Sequence, residues 1–331
     1  MSEKHSNISI FVPHIGCPNK CSFCNQRYIT GTHKAPREID VENAVREAKK
    51  SPKYNPETTE IAFFGGSFTA INRNYMITLL KAAHRFLKSG EARGIRISTR
   101  PDAITPEILE ILKQYGVTAI ELGAQSLIDK VLKLNNRGHS VEDVYKASAL
   151  IKDYGFELGL QIMTGLYSDN DKNAIKTANR VIDIKPDTVR IYPTIVLKDT
   201  DLAALYEDKK YTPQTLDEAV SLASKLYLMF KSEGINVIRL GLHSIEENAF
   251  LAGPWHPAFS ELCQSRIMLN KALEILKDKG RYIIYVGKSD LSKMIGQKRN
   301  NMSILESKGY FCRVKINENL TDLDLIIERD V

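Results

Sequence analysis

A chain of 331 residues with 43% hydrophobic and 26% charged residues has the composition of a globular protein and is long enough to bury about three quarters of its unfolded surface, which excludes disordered, collagenous and coiled-coil architectures. No apolar run reaches the roughly 18–20 residues of a membrane span, and the opening MSEKHSN lacks the apolar core of a secretory leader, so a cytoplasmic protein without membrane contact is expected. The formal charge of +6, from 46 Lys and Arg against 40 Asp and Glu, permits an anionic partner without a basic tail that would demand one.

Apolar runs of strand character at 8–13, 60–64, 94–99, 118–122, 157–163 and 188–193 alternate with amphipathic helical patterns at roughly 40–50, 74–88, 105–115, 140–154 and 170–184. Thr105-Pro106-Glu107 supplies a cap, a first-turn proline and an acid against the helix dipole. Six βα units in a row imply a parallel sheet, doubly wound or rolled into an open or closed barrel, and periodicity does not choose between them. Beyond about residue 195 the pattern changes to a helix at 213–233, a strand at 235–240, a helix at 257–278 and a strand at 282–286. The tail then reads helix, helix, strand (313–316), turn, strand (323–328). Two regions, 1–195 and 196–331, are expected, with no internal repeat and no Gly/Ser/Pro-rich linker between them.

Three of the five cysteines, Cys17, Cys21 and Cys24, stand at C-x3-C-x2-C spacing after the first strand, where Gly16, Pro18 and Asn19 favour a tight turn. Structural zinc sites want four protein ligands, and a zinc reading would need His14 or His33 to complete the set. Three thiolates instead leave one iron of a [4Fe–4S] cluster open to another ligand. Cys263 and Cys312 read as isolated small hydrophobes.

The C-x3-C-x2-C spacing, with Phe23 before the last cysteine, resembles the radical S-adenosylmethionine superfamily. The strings Phe64-Gly65-Gly66-Ser67-Phe68-Thr69, Thr99-Arg100-Pro101-Asp102, Leu122-Gly123-Ala124-Gln125-Ser126, Arg137-Gly138-His139, Gly159-Leu160-Gln161-Ile162-Met163, Arg190-Ile191-Tyr192-Pro193 and His256-Pro257-Ala258-Phe259 resemble the radical domain of the Elongator catalytic subunit. More distantly they resemble oxygen-independent coproporphyrinogen III oxidase, over roughly residues 8–265. The resemblance implies an α/β fold, a partial (β/α)6 barrel followed by a C-terminal α/β extension. It also implies that Cys17, Cys21 and Cys24 ligate three irons of a [4Fe–4S] cluster and that S-adenosylmethionine chelates the fourth. Reductive cleavage would then give a 5′-deoxyadenosyl radical that abstracts hydrogen from substrate, an oxidoreductase or transferase chemistry. Phe23 is expected near the adenine, Gly65, Gly66 and Ser67 at the ammonium, Gln125 at the ribose, Arg137 at the carboxylate, and Gln161 and Met163 facing ribose and adenine.

Ser98 stands where such sequences usually carry Glu, so water or Arg100 is expected to compensate, and Met163-Thr164-Gly165 replaces the usual Met-Pro-Gly. The stretch beyond residue 265 shows no counterpart of the Elongator acetyltransferase domain, so acetyl transfer is not expected of this chain. Tyr192, His243, Trp255 and His256 are the candidates for the substrate side, each also readable as a structural residue. The run Lys293 to Asn301, with Gly296-Gln297-Lys298-Arg299 at its centre, faintly resembles the backbone-gripping loop of an RNA-binding KH module, though its second glycine is missing. The partners implied are a one-electron reductant such as flavodoxin or ferredoxin and either tRNA or a small molecule. The alternatives are radical chemistry on a nucleoside, tetrapyrrole or natural-product intermediate, or a cluster-bearing RNA-binding subunit that does not cleave S-adenosylmethionine.

Overall fold

The apolar runs resolve into strands of one parallel sheet. The computed structural model describes residues 5–13, 17, 20–25, 28, 34–242 and 245–330. The sheet strands are β1 (Ser6–Val12), β2 (Thr59–Gly65), β3 (Gly94–Thr99), β4 (Val117–Gln125), β5 (Glu157–Thr164) and β6 (Thr188–Pro193). After the short strand β7 (Val196–Leu197), which lies elsewhere, β8 (Asn236–Leu240) adds a seventh strand beside β6. All neighbours are parallel and follow chain order, and the end strands β1 and β8 do not pair with each other, so the sheet is an open, partial barrel.

Strand periodicity explains the two faces. Ile8, Ile10, Ile61, Phe63, Ile95 and Ile97 alternate along β1 to β3 and point to the helix side, where each is buried. Helices α1 (Glu38–Ala48), α2 (Arg73–Lys88), α3 (Pro106–Gln114), α5 (Val141–Asp153), α6 (Asp171–Ile184) and α8 (Leu216–Ser232) bring buried side chains such as Val45, Leu79, Leu109, Val144, Val181 and Leu226 to that core. Thr105 accepts the Ile108 N–H at 3.3 Å ahead of Pro106, the start that the sequence signalled. Two short helices carried no periodic signal, α4 (Asp129–Leu134) and α7 (Asp201–Glu207), because one or two turns cannot display a period.

The sequence pattern sets residues after 195 apart, but β8 extends the sheet and α8 shares the first core, which runs as far as Cys263 on α9 (Phe259–Ile275). The second core begins at Ile267 on the same helix. It unites α9 with β10 (Gly280–Val286), α10 (Leu291–Ile295), α11 (Asn300–Ser307), β11 (Tyr310–Ile316) and β12 (Leu325–Arg329). In that small sheet β10 is central, parallel to β11 and antiparallel to β12. β7 pairs with β9 (Phe250–Ala252) as a separate ribbon. Among the described residues no helix is long and apolar enough to cross a membrane.

The opposite, concave face of the large sheet is polar and charged. Glu60 on β2, Arg96 on β3, Glu121 on β4 and Arg190 on β6 are all buried there. Arg96 Nε donates to Glu60 Oε2 at 2.7 Å and Arg96 Nη2 to Glu157 Oε1 at 2.9 Å. Arg190 Nη2 donates to Glu121 Oε1 at 2.7 Å, and its Nε lies 2.7 Å from Oε2 in the same ion pair. Gly159 makes room for this pair, since a Cβ there would stand 2.9 Å from Glu121 Cγ. Burial pushes the Glu60 carboxyl up, but the hydrogen bond from His5 and the Arg96 charge outweigh it and hold the pKa down at about 2.

Glu121→Ala leaves Arg190 without its buried counter-ion, and a loss of about 3–5 kcal/mol is expected in chemical denaturation. Glu60 has a depressed folded pKa, so its contribution to stability is present above its ordinary range and lost as pH falls. Glu60→Gln should therefore flatten the pH dependence of stability between about pH 4.5 and 2, read by acid titration of denaturation midpoints.

Candidate active site

The C-terminal ends of the strands surround a cavity lined by Phe11, Phe64 and Gly65 of β1 and β2, Ser98 of β3, Gln125 of β4, Gln161 and Met163 of β5, and Arg190 and Tyr192 of β6. Phe23, Pro193, Ile195, Leu197, Leu242 and Ile245 complete its apolar wall. Open parallel sheets place ligands at this end because the strand-to-helix loops converge there. The sequence-expected residues Phe23, Gly65, Ser98, Gln125, Gln161, Met163 and Tyr192 thus meet around one space. Gly66 and Ser67 adjoin it through the backbone, and Arg137 and His256 are not among its lining residues.

Gly65 has φ +106°, and a Cβ on it would stand 2.8 Å from the Val12 carbonyl oxygen, which also accepts the Gly66 N–H at 2.7 Å. The glycine pair therefore draws the ends of β1 and β2 together at the cavity. Gln125 follows an irregularity in the β4–β5 register, has φ 63°, and its Oε1 is buried without a partner among the described residues. A buried amide oxygen of this kind is an acceptor waiting for a ligand's donor.

Ser98 and Gln161 are linked, since Gln161 Nε2 donates to Ser98 Oγ at 3.3 Å and to Glu121 Oε2 at 2.9 Å. Glu121, the cross-strand partner of Ser98, does not itself line the cavity, and its two oxygens are taken by Arg190 and Gln161. Arg100 is buried, donates to Asp102 at 2.5 Å and to the Arg137 carbonyl at 3.0 Å, and does not line the cavity. Arg190 lies 5.2 Å from the centre of the Phe64 ring. Burial raises the Tyr192 phenol above its ordinary range, so it faces the cavity as a neutral hydroxyl.

The thiol loop is held at the edge of this space. Ser22 donates its hydroxyl to Asn135 Oδ1 at 2.8 Å and its N–H to the Asn135 carbonyl at 3.1 Å, while the Leu202 N–H of α7 binds the Ser22 carbonyl at 2.7 Å. Cys17 Sγ lies 3.6 Å from Ser67 Oγ, and Arg137 Nη1 donates to Cys21 Sγ at 3.1 Å while its Nη2 holds the Gly123 carbonyl at 2.5 Å. Arg137 is thus turned to a sulfur and a strand carbonyl. Burial, then the neighbouring Cys21 and Cys17 sulfurs, push the Cys24 thiol up to about 12. Three cysteine sulfurs from one short loop are the soft donor set that an iron–sulfur cluster takes, one on each of several irons. Gly16, Pro18 and Asn19 lie outside the described residues, as do His14, His33 and His243. Among the described residues no three His, Cys, Asp or Glu side chains gather about a single ion position.

His256 has a local role: its Nδ1 accepts the Ala258 N–H at 3.0 Å just before α9. Trp255 packs against Phe250, 6.2 Å between ring centres. Glu121 and Asn135 escaped the sequence reading, and Arg190 entered it only as the first residue of the 190–193 string with no role assigned. A lone charged residue within an apolar strand was the available signal for Glu121 and Arg190.

A model of the radical SAM superfamily matches residues 11–181 and one of its C-terminal domain matches residues 186–268. The chain belongs to the radical SAM superfamily. An uncharacterized protein of Methanocaldococcus jannaschii is 30% identical over 279 residues, covering 80% of this chain and 83% of that protein. The tRNA uridine(34) acetyltransferase of Methanocaldococcus infernus is 30% identical over 185 residues, 50% of this chain but only 35% of the relative, so this radical SAM chain matches about a third of that enzyme's length. The solved archaeal Elp3 of Methanocaldococcus infernus shares the fold at a TM-score of 0.66 and 23% identity, covering 82% of this chain and 64% of that one. Streptococcus suis SuiB bound to S-adenosylmethionine aligns at 0.51 and 16%, covering 73% of this chain and 51% of its own.

Gly65→Ala forces a side chain into left-handed backbone against an immovable carbonyl, and a loss of about 2 kcal/mol is expected, read as a lowered denaturation midpoint.

Proposed function

We propose that this chain is a cytoplasmic radical SAM enzyme that holds a [4Fe–4S] cluster on Cys17, Cys21 and Cys24 and S-adenosylmethionine in the adjoining cavity, and that it acts on tRNA. The observation that carries the reading is the meeting of the thiol loop with that cavity, through Phe23 from one side and Gly65 from the other. When bound, the cluster and S-adenosylmethionine supply a one-electron reductive cleavage whose carbon radical takes hydrogen from substrate, with the electron coming from a flavodoxin- or ferredoxin-like donor.

The chain's own residues bind, orient and shield. Arg137 fixes the Cys21 sulfur, Gln125 offers its unpartnered Oε1 to a ribose or ammonium donor, and Glu121 holds Gln161 in one rotamer toward the cavity. The apolar wall of Phe11, Ile195, Leu197 and Leu242 excludes water from a reactive centre. Support for tRNA comes from the name of the acetyltransferase relative and from the positive charge. The alternative that Ser98 keeps open, a cluster-bearing subunit that does not cleave S-adenosylmethionine, predicts bound iron without 5′-deoxyadenosine.

Anaerobic reconstitution with iron and sulfide, followed by S-adenosylmethionine and dithionite, tests the chemistry. About four irons per chain and 5′-deoxyadenosine are expected, with both largely lost in Cys24→Ala. An unchanged iron content and product yield in that variant would refute the ligand assignment. For the substrate, nucleoside mass spectrometry of tRNA incubated with the complete system should show a new nucleoside that Cys24→Ala does not make.

A further inference from the structure

The C-terminal unit carries a second concave feature, away from the strand ends that form the cavity. A groove follows β11, which is an edge strand with its outer backbone groups unpaired within the sheet. Arg281, Phe311 and Arg313 line it from the sheet, and Arg299, Met302 and Glu306 from α11 and the turn before it. Asp330 completes the lining, 3.8 Å from Arg313 Nε.

The turn at one end of this groove is built to stay open. Gly296 has φ 77° and ψ 156°, and a Cβ there would meet the Asn301 N–H at 2.9 Å. Lys298 and Arg299 follow with left-handed φ of 51° and 61°, so the position where a second glycine was missing adopts a glycine-like backbone with an arginine side chain. Asn301 locks the turn from beneath: it is buried, and its Nδ2 reaches the carbonyls of Ser265, Lys293 and Met294 at 2.9–3.2 Å. Gln297, Lys298, Arg299 and Asn300 are all exposed above it. Such strain persists only where the surroundings over-determine it, which marks the turn as a presented feature.

Charge separates along the unit. Residues 288–315 hold seven Lys and Arg (Lys288, Lys293, Lys298, Arg299, Lys308, Arg313, Lys315) against Asp290 and Glu306, whereas 316–330 hold Arg329 against five acids. The buried Asp290 is paired with Lys293 at 2.7 Å. The positive side chains therefore lie on the turn (Lys298, Arg299), at Lys308 and on the free edge strand β11 (Arg313, Lys315), while α11 between them carries only Glu306, and Phe311 on β11 stands 54% exposed. Basic side chains spaced along a groove match a phosphate backbone, an exposed aromatic ring matches an unstacked base, and an edge strand offers donors and acceptors to base edges.

We infer that the groove formed by the Gly296–Arg299 turn, α11 and the free edge of β11 binds a single-stranded RNA segment, with Lys298, Arg299 and Arg313 on phosphates and Phe311 stacked on a base. This deepens the tRNA part of the proposed function and does not depend on cleavage of S-adenosylmethionine. Fluorescence anisotropy of a fluorescein-labelled mixed-sequence single-stranded RNA with the full-length chain tests it.

Lys298→Glu/Arg299→Glu should weaken binding by about tenfold or more near 0.1 M salt and lower the slope of log K against log salt by about 0.7 for each phosphate that is no longer neutralised. Phe311→Ala should cost at least about fivefold with the slope unchanged. Lys146→Glu/Lys225→Glu, exposed on α5 and α8, carries the same change in net charge and should leave binding near the original value. Equal losses in the two double variants, or no RNA bound by the unaltered chain, would overturn the inference. The RNA-free yield of 5′-deoxyadenosine should be the same in all of them, which separates failure of the groove from failure of the enzyme reading.

Discussion

The buried pairing of Glu121 with Arg190 is the constraint around which the interior of the partial barrel is arranged. A parallel sheet normally hides both faces in apolar contacts, yet this one turns Glu60, Arg96, Glu121 and Arg190 inward across four of its strands. Each charge is tolerated only because a partner sits on another strand, so the network ties the strands to one curvature as well as to one register. Gly159 is part of the same solution, being the residue whose missing side chain lets Glu121 lie flat.

From that floor the site is built upward. Glu121 reaches beyond its arginine to hold Gln161, and Gln161 holds Ser98, so the polar wall of the cavity is fixed by the same carboxylate that stabilises the sheet. Stability and site geometry are coupled at one residue. The thiol loop is positioned differently, by backbone and side-chain bonds from Ser22 to Asn135 and by Arg137 at the Cys21 sulfur. Those contacts bind the described part of the loop, Cys17 and residues 20–25, to the end of α4, to α7 and to β4.

The strand-and-helix alternation through residue 193 was legible wherever an element is long enough to show its period, which the six-residue α4 is not, and the cysteine spacing was legible because soft-metal chemistry demands those residues in a short loop. The joining of β8 to β6 was not legible, since β8 follows an insertion containing β7, α7 and the long α8, and no local pattern says which earlier strand a distant one will join. Arg137 Nη1 lies on Cys21 Sγ and His256 Nδ1 on the Ala258 N–H, partners that residue chemistry alone does not name.

The sequence by itself determined the fold class, the family and the identity of the three clustered thiols, because those depend on local periodicity and on spacing within a few residues. Tertiary structure alone decided that Glu121 holds Gln161 at the cavity wall, that Asn135 anchors the thiol loop, and that Arg299 meets Phe311 and Arg313 around one groove. Each of those depends on residues far apart in the chain, brought together by strand order and by hydrogen-bond satisfaction of buried groups, and neither is written in any short window of sequence.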